Sequence, residues 1–160
     1  MSRVSAPSCR RIEIMDNSLS LSAWRARFLT LAAPSPASIP GFRRVAFVGP
    51  FWLRGSAPSA IALGGLPGWL GKRFSSETQA INVLKSGEER LPMQVELTSS
   101  WLDGKPVLVC RYGPDSPFPW RRVRDEFRVL SETTWLGMTL VDLPGLRRTG
   151  WPFLLISVDQ

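Results

Sequence analysis

Histidine is absent from this chain. That removes histidine-based triads, haem ligation by histidine and most zinc sites. Cysteine is nearly as scarce. Cys9 lies in an irregular N-terminal stretch and Cys110 in an expected strand, so a disulfide framework is not expected. Cys110 reads as a small buried hydrophobe. No cluster of metal-ligating residues stands out, and neither a metal nor a cofactor is expected. A spanning segment is also missing: residues 55–71 carry no charge, but five glycines, two prolines and two serines make them a poor membrane helix. No basic segment followed by an apolar core opens the chain, so no signal peptide is expected. Gly64, Gly65, Gly68 and Gly71 do not form a phosphate loop, because Lys72 is followed by Arg73 and the P-loop spacing is absent. The expectation is a soluble, cytoplasmic, bacterial protein.

What is present fits one domain. The 160 residues are 44% apolar and 21% charged, enough to bury a real core. Seven tryptophans against a single tyrosine is unusual, and each buried indole needs a partner for its N–H. The net charge of +7 is uneven: residues 1–80 hold ten Arg/Lys and three acids, whereas residues 81–160 hold ten of each. The leading half therefore carries the basic excess. Such asymmetry can mark a nucleic-acid or membrane contact, but the arginines are scattered pairs, which argues against nucleic acid.

Along the chain, residues 1–16 show no periodicity and read as a flexible leader, with Met15 an alternative start. Asn17 or Ser18 is placed to cap a helix running to about Ala33, with Leu21, Trp24, Phe28 and Leu31 on one stripe. This amphipathic stripe either docks on the body of the domain or, over residues 17–33, touches a membrane surface. A short strand is expected at Val45–Val48, a turn at Pro50–Gly55, and one or two helical turns at Ala57–Leu63. Residues 17–62 thus read as a helix and connecting segment packed on a barrel of residues 63–160.

From Trp69 onward strands and turns alternate. Candidate strands are Trp69–Phe74, Gln79–Leu84, Met93–Leu102, Val107–Tyr112, Trp120–Leu130, Trp135–Asp142 and Trp151–Val158. Asp103-Gly104 marks a hairpin turn. Leu66-Pro67-Gly68-Trp69 and Leu143-Pro144-Gly145-Leu146 have the Pro-Gly order of type II turns. About seven strands in up-and-down order predict a mainly β fold, a small antiparallel barrel preceded by one amphipathic helix. Closure removes the exposed edges of so long a meander.

At Gly65–Phe74 and again at Val123–Thr139 the chain resembles the lipocalin-like, or calycin, barrels, and within them the uncharacterised GXWXG-type proteins. The residues concerned are Gly68-Trp69-Leu70-Gly71, then Arg124-Asp125-Glu126-Phe127-Arg128 and Trp135-Leu136-Gly137-Met138. Pro67 stands where the family's first glycine would be. The resemblance implies that Trp69 plugs one barrel end, with Gly68 and Gly71 beside it in a structural role. It also implies a basic partner for Trp69 from a late strand, with Arg128, Arg147 and Arg148 as candidates.

Asp125 shares parity with Val123, Phe127 and Val129, so it points inward unless a bulge turns it to solvent. A buried carboxylate needs a partner, and Arg111 and Arg124 are the candidates for it. With Tyr112, Phe127, Trp135 and Met138 they make up the expected ligand-binding set. The run from Trp120 to Arg124 otherwise reads as a solvated strand face. Three function classes follow: a barrel holding a small hydrophobic or amphipathic molecule; a barrel enzyme using Asp125 as base with an arginine; and an interaction protein using the basic leading half. The first is the expected one, with no catalysis.

Overall fold

Eight antiparallel strands close into a barrel, each paired with its sequence neighbours and the last returning to the first. The computed structural model describes residues 17–158. The expectations for the leader, for Cys9 and for Met15 lie outside the described residues. The strands are β1 (Gly41–Phe47), β2 (Trp69–Phe74), β3 (Gln79–Leu84), β4 (Glu89–Ser99), β5 (Pro106–Tyr112), β6 (Val123–Val129), β7 (Thr134–Val141) and β8 (Trp151–Ser157). Two helices accompany them, α1 (Leu21–Leu29) and α2 (Phe51–Leu63). The fold is therefore mainly β, with a helix ahead of the strands as the sequence predicts.

Strands β2 and β3 begin and end at the expected residues, and the first strand is where the expectation falls short. β1 starts at Gly41 and closes the barrel by pairing with both β2 and β8. Barrel residues therefore begin well before residue 63. Strand β4 begins at Glu89 and ends at Ser99, so Trp101 belongs to the following turn. Residues Trp120–Arg122 form a 3-10 turn that leads into β6.

Helix α1 is capped by Ser20, whose hydroxyl accepts the Ala23 N–H at 3.2 Å, and it ends at Leu29. Its stripe docks Trp24 and Phe28, both fully buried, on the outer barrel surface among Val107, Val109, Leu136, Met138 and Leu154. A buried Phe of this kind contributes about 1.5–3 kcal/mol. The barrel thus covers Trp24 and Phe28 of the stripe, while Leu21 and Leu31 stay partly exposed.

Helix α2 is longer than the glycines and prolines suggest. Pro50 precedes its first turn and Pro58 lies inside it. The Arg54 carbonyl that Pro58 cannot satisfy costs one ladder bond, and the Ser56 hydroxyl donates back to the Trp52 carbonyl at 2.7 Å. No residue of α2 is buried, and Phe51 and Leu63 are largely exposed. The helix spans the barrel end at which β2 starts and β5 finishes.

Two clusters divide the apolar residues. Inside the barrel lie Phe74, Met93, Val95, Leu108, Phe127, Trp135, Phe153 and Leu155; outside, beneath α1, lies the second cluster. Gly137 is the inward position of β7 that gives the rings room, since a Cβ there would sit 2.7–2.8 Å from Phe153 and Phe127. Gly71 serves the seam instead. A Cβ would come within 2.0 Å of the Arg43 carbonyl oxygen on β1, so only glycine allows the two strands to approach.

Candidate ligand site

The register of the barrel builds a polar cluster inside it. Between Trp69 and Gly71 the β2–β3 register shifts by a bulge, after which Lys72 and Phe74 face inward. Across the lumen, β6 turns Val123, Asp125 and Phe127 inward, β5 contributes Cys110 and Tyr112, β3 contributes Asn82, and β7 contributes Thr139.

Lys72 is fully buried and Asp125 nearly so, and their Nζ and Oδ2 lie 3.2 Å apart. The ammonium also donates to Asn82 Oδ1 at 3.0 Å and lies 3.2 Å from both the Tyr112 hydroxyl and the Met93 sulfur. Its three N–H groups thus face four acceptors, and the thioether is the weakest of them. The other carboxylate oxygen, Asp125 Oδ1, accepts the Thr139 hydroxyl at 2.8 Å. Lys72 Nζ stands 5.3 Å from the Trp69 ring centre and 5.4 Å from that of Tyr112. Burial pulls the lysine pKa down, but the Tyr112 oxygen and the Asp125 carboxylate outweigh it and hold the ammonium above the ordinary lysine range. Burial pushes the Cys110 thiol up to about 12 and raises Tyr112 as well. Thiol and phenol are therefore both neutral at ordinary pH.

Beside this cluster the barrel is not filled. A cavity of about 80 Å³ is bounded by Lys72, Tyr112, Asp125 and Thr139 on its polar side and by Trp69 and Trp120 among its apolar walls. A second cavity of about 80 Å³ adjoins it, with Ile61, Trp69 and Thr139 common to both, and continues under Leu53 and Ala57 of α2 toward Phe153. Ile61 belongs to α2, so the helix covers both. Its C-terminal end is tied down where the Trp120 indole N–H donates to the Gly64 carbonyl at 2.5 Å.

Of the residues expected to bind a ligand, Asp125, Tyr112, Phe127 and Trp135 face the barrel interior. Asp125 and Tyr112 reach the cavity; Phe127 and Trp135 pack deeper, Trp135 under the Arg43 guanidinium at 3.5 Å from its ring centre. Arg111, Arg124 and Met138 do not face inward, and this corrects their placement. Strand alternation sends each to the outer face, because each is the immediate neighbour of an inward residue. Arg111 is exposed and pairs with Glu96 at 2.9 Å. Met138 packs in the outer cluster. Arg124 donates to Glu126 at 3.0 Å and to the Ser99 carbonyl at 2.6 Å. The ion-pair partner of Asp125 is Lys72.

That outer face of β6 is not solvated either. Arg124, Glu126 and Arg128 are all buried under the β4–β5 turn, which folds back over them. Glu126 accepts the Ser100 hydroxyl at 2.5 Å and the Trp101 N–H at 2.8 Å. Arg128 grips Asp103 through both terminal nitrogens, at 2.9 and 2.8 Å, and donates to the Phe28 carbonyl at the end of α1. The Arg128 hydrogen bonds hold the Asp103 carboxyl below the usual range. This network is a brace, remote from the cavity.

Trp69 makes edge contacts with Phe47 and Phe153, and its N–H donates to the Gly71 carbonyl at 2.9 Å. The cation beside its ring is Lys72 of the same strand. Arg128 instead stacks on Phe28 and Arg147 on Trp101.

Lys72, Asn82 and Thr139 were not expected at the site. Neither Asn82 nor Thr139 stands out in sequence beyond being a polar residue inside an apolar strand. Among the described residues no group of three or more His, Cys, Asp or Glu side chains is arranged to hold a metal, and no helix is long and apolar enough to cross a membrane.

No family model matches the chain, and no curated protein matches it. A crystal structure of a protein from Thermomonospora curvata is similar, with a TM-score of 0.62 over 89% of this chain and 90% of that one, at 16% identity. At that identity the likeness is one of fold: a closed antiparallel barrel.

Proposed function

We propose that this protein binds a small amphipathic molecule inside its barrel. The polar head meets the Lys72–Asp125–Tyr112 cluster, and the apolar part lies beneath α2. One observation carries the reading: the unfilled volume of the barrel coincides with its buried ion pair, and not with the apolar packing around Phe127. Eight-stranded barrels are just wide enough to be filled by side chains or to hold one small ligand. Here the half around Phe74, Phe127, Trp135 and Phe153 is filled by edge-to-face rings, and the α2 end is not. Aromatic and aliphatic walls with a few converging polar groups are the usual make-up of a small-molecule site. The two adjoining cavities set the scale at a head of a few heavy atoms and a short tail.

Native mass spectrometry of the purified protein beside a denatured sample tests this. A discrete extra mass that leaves on denaturation is expected, with a change in tryptophan emission when the emptied protein is titrated, since Trp69 and Trp120 wall the cavity. A clean mass together with no emission response to fatty acids, amides, sterols and aromatic acids refutes it.

A further inference from the structure

The hydrogen-bond inventory of the cavity says which head group it takes. Lys72 Nζ has only donors, so the Asn82 side-chain atom beside it at 3.0 Å must be the carbonyl oxygen. That orientation turns Asn82 Nδ2 toward the Tyr112 hydroxyl, 3.2 Å away. The Tyr112 oxygen therefore lies between two groups that can only donate, an ammonium and an amide NH₂. Both of its lone pairs are taken. Its own proton has no acceptor among the described residues, and Tyr112 lines the cavity.

The carboxylate has the opposite surplus. Each Asp125 oxygen accepts one bond, from Lys72 or from Thr139, and keeps a further lone pair. The Lys72 ammonium has no N–H left over. The cavity thus offers one donor, the Tyr112 O–H, and acceptors on Asp125. Its two formal charges already neutralise one another.

We infer that the cavity selects an uncharged head group that both accepts and donates a hydrogen bond, such as a primary amide or an alcohol, over a carboxylate. This rests on the small-molecule reading of the same site. The head's oxygen receives the Tyr112 proton, and its N–H or O–H is donated to Asp125. A carboxylate would bring a second negative charge beside Asp125 with no uncommitted cation there, and it has no proton to give. An ester accepts but cannot donate, so it leaves the carboxylate lone pairs dry and unpaired, which is how a polar site rejects an isostere.

The test is a matched series with one tail: octanamide, 1-octanol, octanoate and methyl octanoate at pH 7, followed by tryptophan emission and calorimetry. Octanamide and octanol should bind at least tenfold more tightly than octanoate and the ester. In Tyr112→Phe, octanamide and the ester should each lose about tenfold, because each head's oxygen accepts the Tyr112 proton; a thermal melt establishes that the variant is folded, and the wild-type series stands without it. Octanoate binding as tightly as octanamide, or a folded Tyr112→Phe that binds octanamide as tightly as wild type, overturns the head-group assignment and leaves the small-molecule reading in place. If no member of the series binds, and the protein purifies with no extra mass, both fall.

Discussion

Lys72→Met is the most demanding test of the interior described above. Methionine matches the lysine stem in length and removes only the ammonium. Asp125 would then remain 4% exposed with the Thr139 hydroxyl as its one remaining protein donor. Removing one member of a buried ion pair typically costs about 3–5 kcal/mol, because the other charge is left uncompensated. For a domain of this size each kcal/mol lowers Tm by roughly 2–4 °C, so the melting temperature should fall by roughly 6–20 °C. The double variant Lys72→Met with Asp125→Leu removes both charges. It forfeits the hydrogen bonds to Asn82, Tyr112 and Thr139, at about 1 kcal/mol each, while apolar replacement of a buried pair is often neutral or stabilising by about 1–4 kcal/mol. The double variant should therefore lie within about 2 kcal/mol of wild type, more stable than Lys72→Met alone. Urea unfolding followed by tryptophan emission and by circular dichroism measures all of these stabilities in one cycle with Asp125→Leu. A Lys72→Met cost below about 1 kcal/mol, or a double variant whose loss equals the sum of the singles, would refute the coupling between the two groups.

Alkaline pH should weaken the fold from about pH 9. Burial holds the Cys110 thiol at about 12, while in the unfolded chain it releases its proton near 8.5. Between those values the unfolded state holds fewer protons, so stability falls as pH rises, by about 1.4 kcal/mol per unit. The raised Tyr112 and Lys72 add the same sign only near pH 10 and above, and Arg43, lowered to about 10 by burial, opposes them above that point. Urea melts at pH 8, 9 and 10 should show an early decline that Cys110→Ala abolishes; an unchanged decline contradicts it. Gly71→Ala should cost the upper end of the about 1–3 kcal/mol typical of overpacking, or prevent folding, because its Cβ meets β1 backbone. Gly68→Ala, whose Cβ meets only Lys85 at 3.6 Å, should cost the roughly 1–2 kcal/mol of its positive φ alone; equal losses in thermal melts would sink the distinction. Arg128→Met should destabilise by about 3–5 kcal/mol, whereas Arg111→Ala, whose ion pair is about half exposed, should change stability by less than about 1 kcal/mol; a large Arg111 effect in urea melts would reverse the placement of the two.

Strands β2 through β8 were legible because each is a short apolar-rich run bounded by turn residues, and Gly68, Gly104 and Gly145 do take positive φ. β1 was only half legible, since Gly41 to Arg44 offers no alternating apolar pair until Val45. The second half of α2 was legible as helical turns at Ala57–Leu63, but its first half was hidden by Gly55 and Pro58, which read as breakers yet cost a single ladder bond in a helix that buries no residue. Asp125 was found by parity. Lys72 was hidden by the bulge: counting in twos from Trp69 sends Gly71 and Arg73 inward, while counting back from Phe74 sends Lys72 inward, and the shift at Trp69/Gly71 makes Trp69, Lys72 and Phe74 all inward. Arg111, Arg124 and Met138 could have been excluded by the same parity that placed Tyr112, Asp125 and Trp135. Proximity in sequence suggested them, and in a strand proximity by one residue means opposite faces. The brace on the outer face of β6 left no such trace, because nothing local says that the β4–β5 turn folds back over it.

The polar cluster is better explained by what it faces than by what it stabilises. A barrel of this size can close on rings alone, as its own Phe74, Phe127, Trp135 and Phe153 show. A buried ion pair is weak evidence for stability, since apolar residues of like volume do as well or better. If Lys72 and Asp125 served packing, they would be expected where the interior is densest, with every donor and acceptor matched. They sit instead where the interior is empty, next to a phenol whose proton is unmatched and a carboxylate with lone pairs to spare. The brace on the outer face shows the contrast within the same strand. There Glu126 and Arg128 are saturated by Ser100, Trp101, Asp103 and Phe28, and the carboxylate and guanidinium leave little to offer. One strand, β6, thus carries on alternate residues a closed polar network that fixes the fold and an open one that faces a cavity.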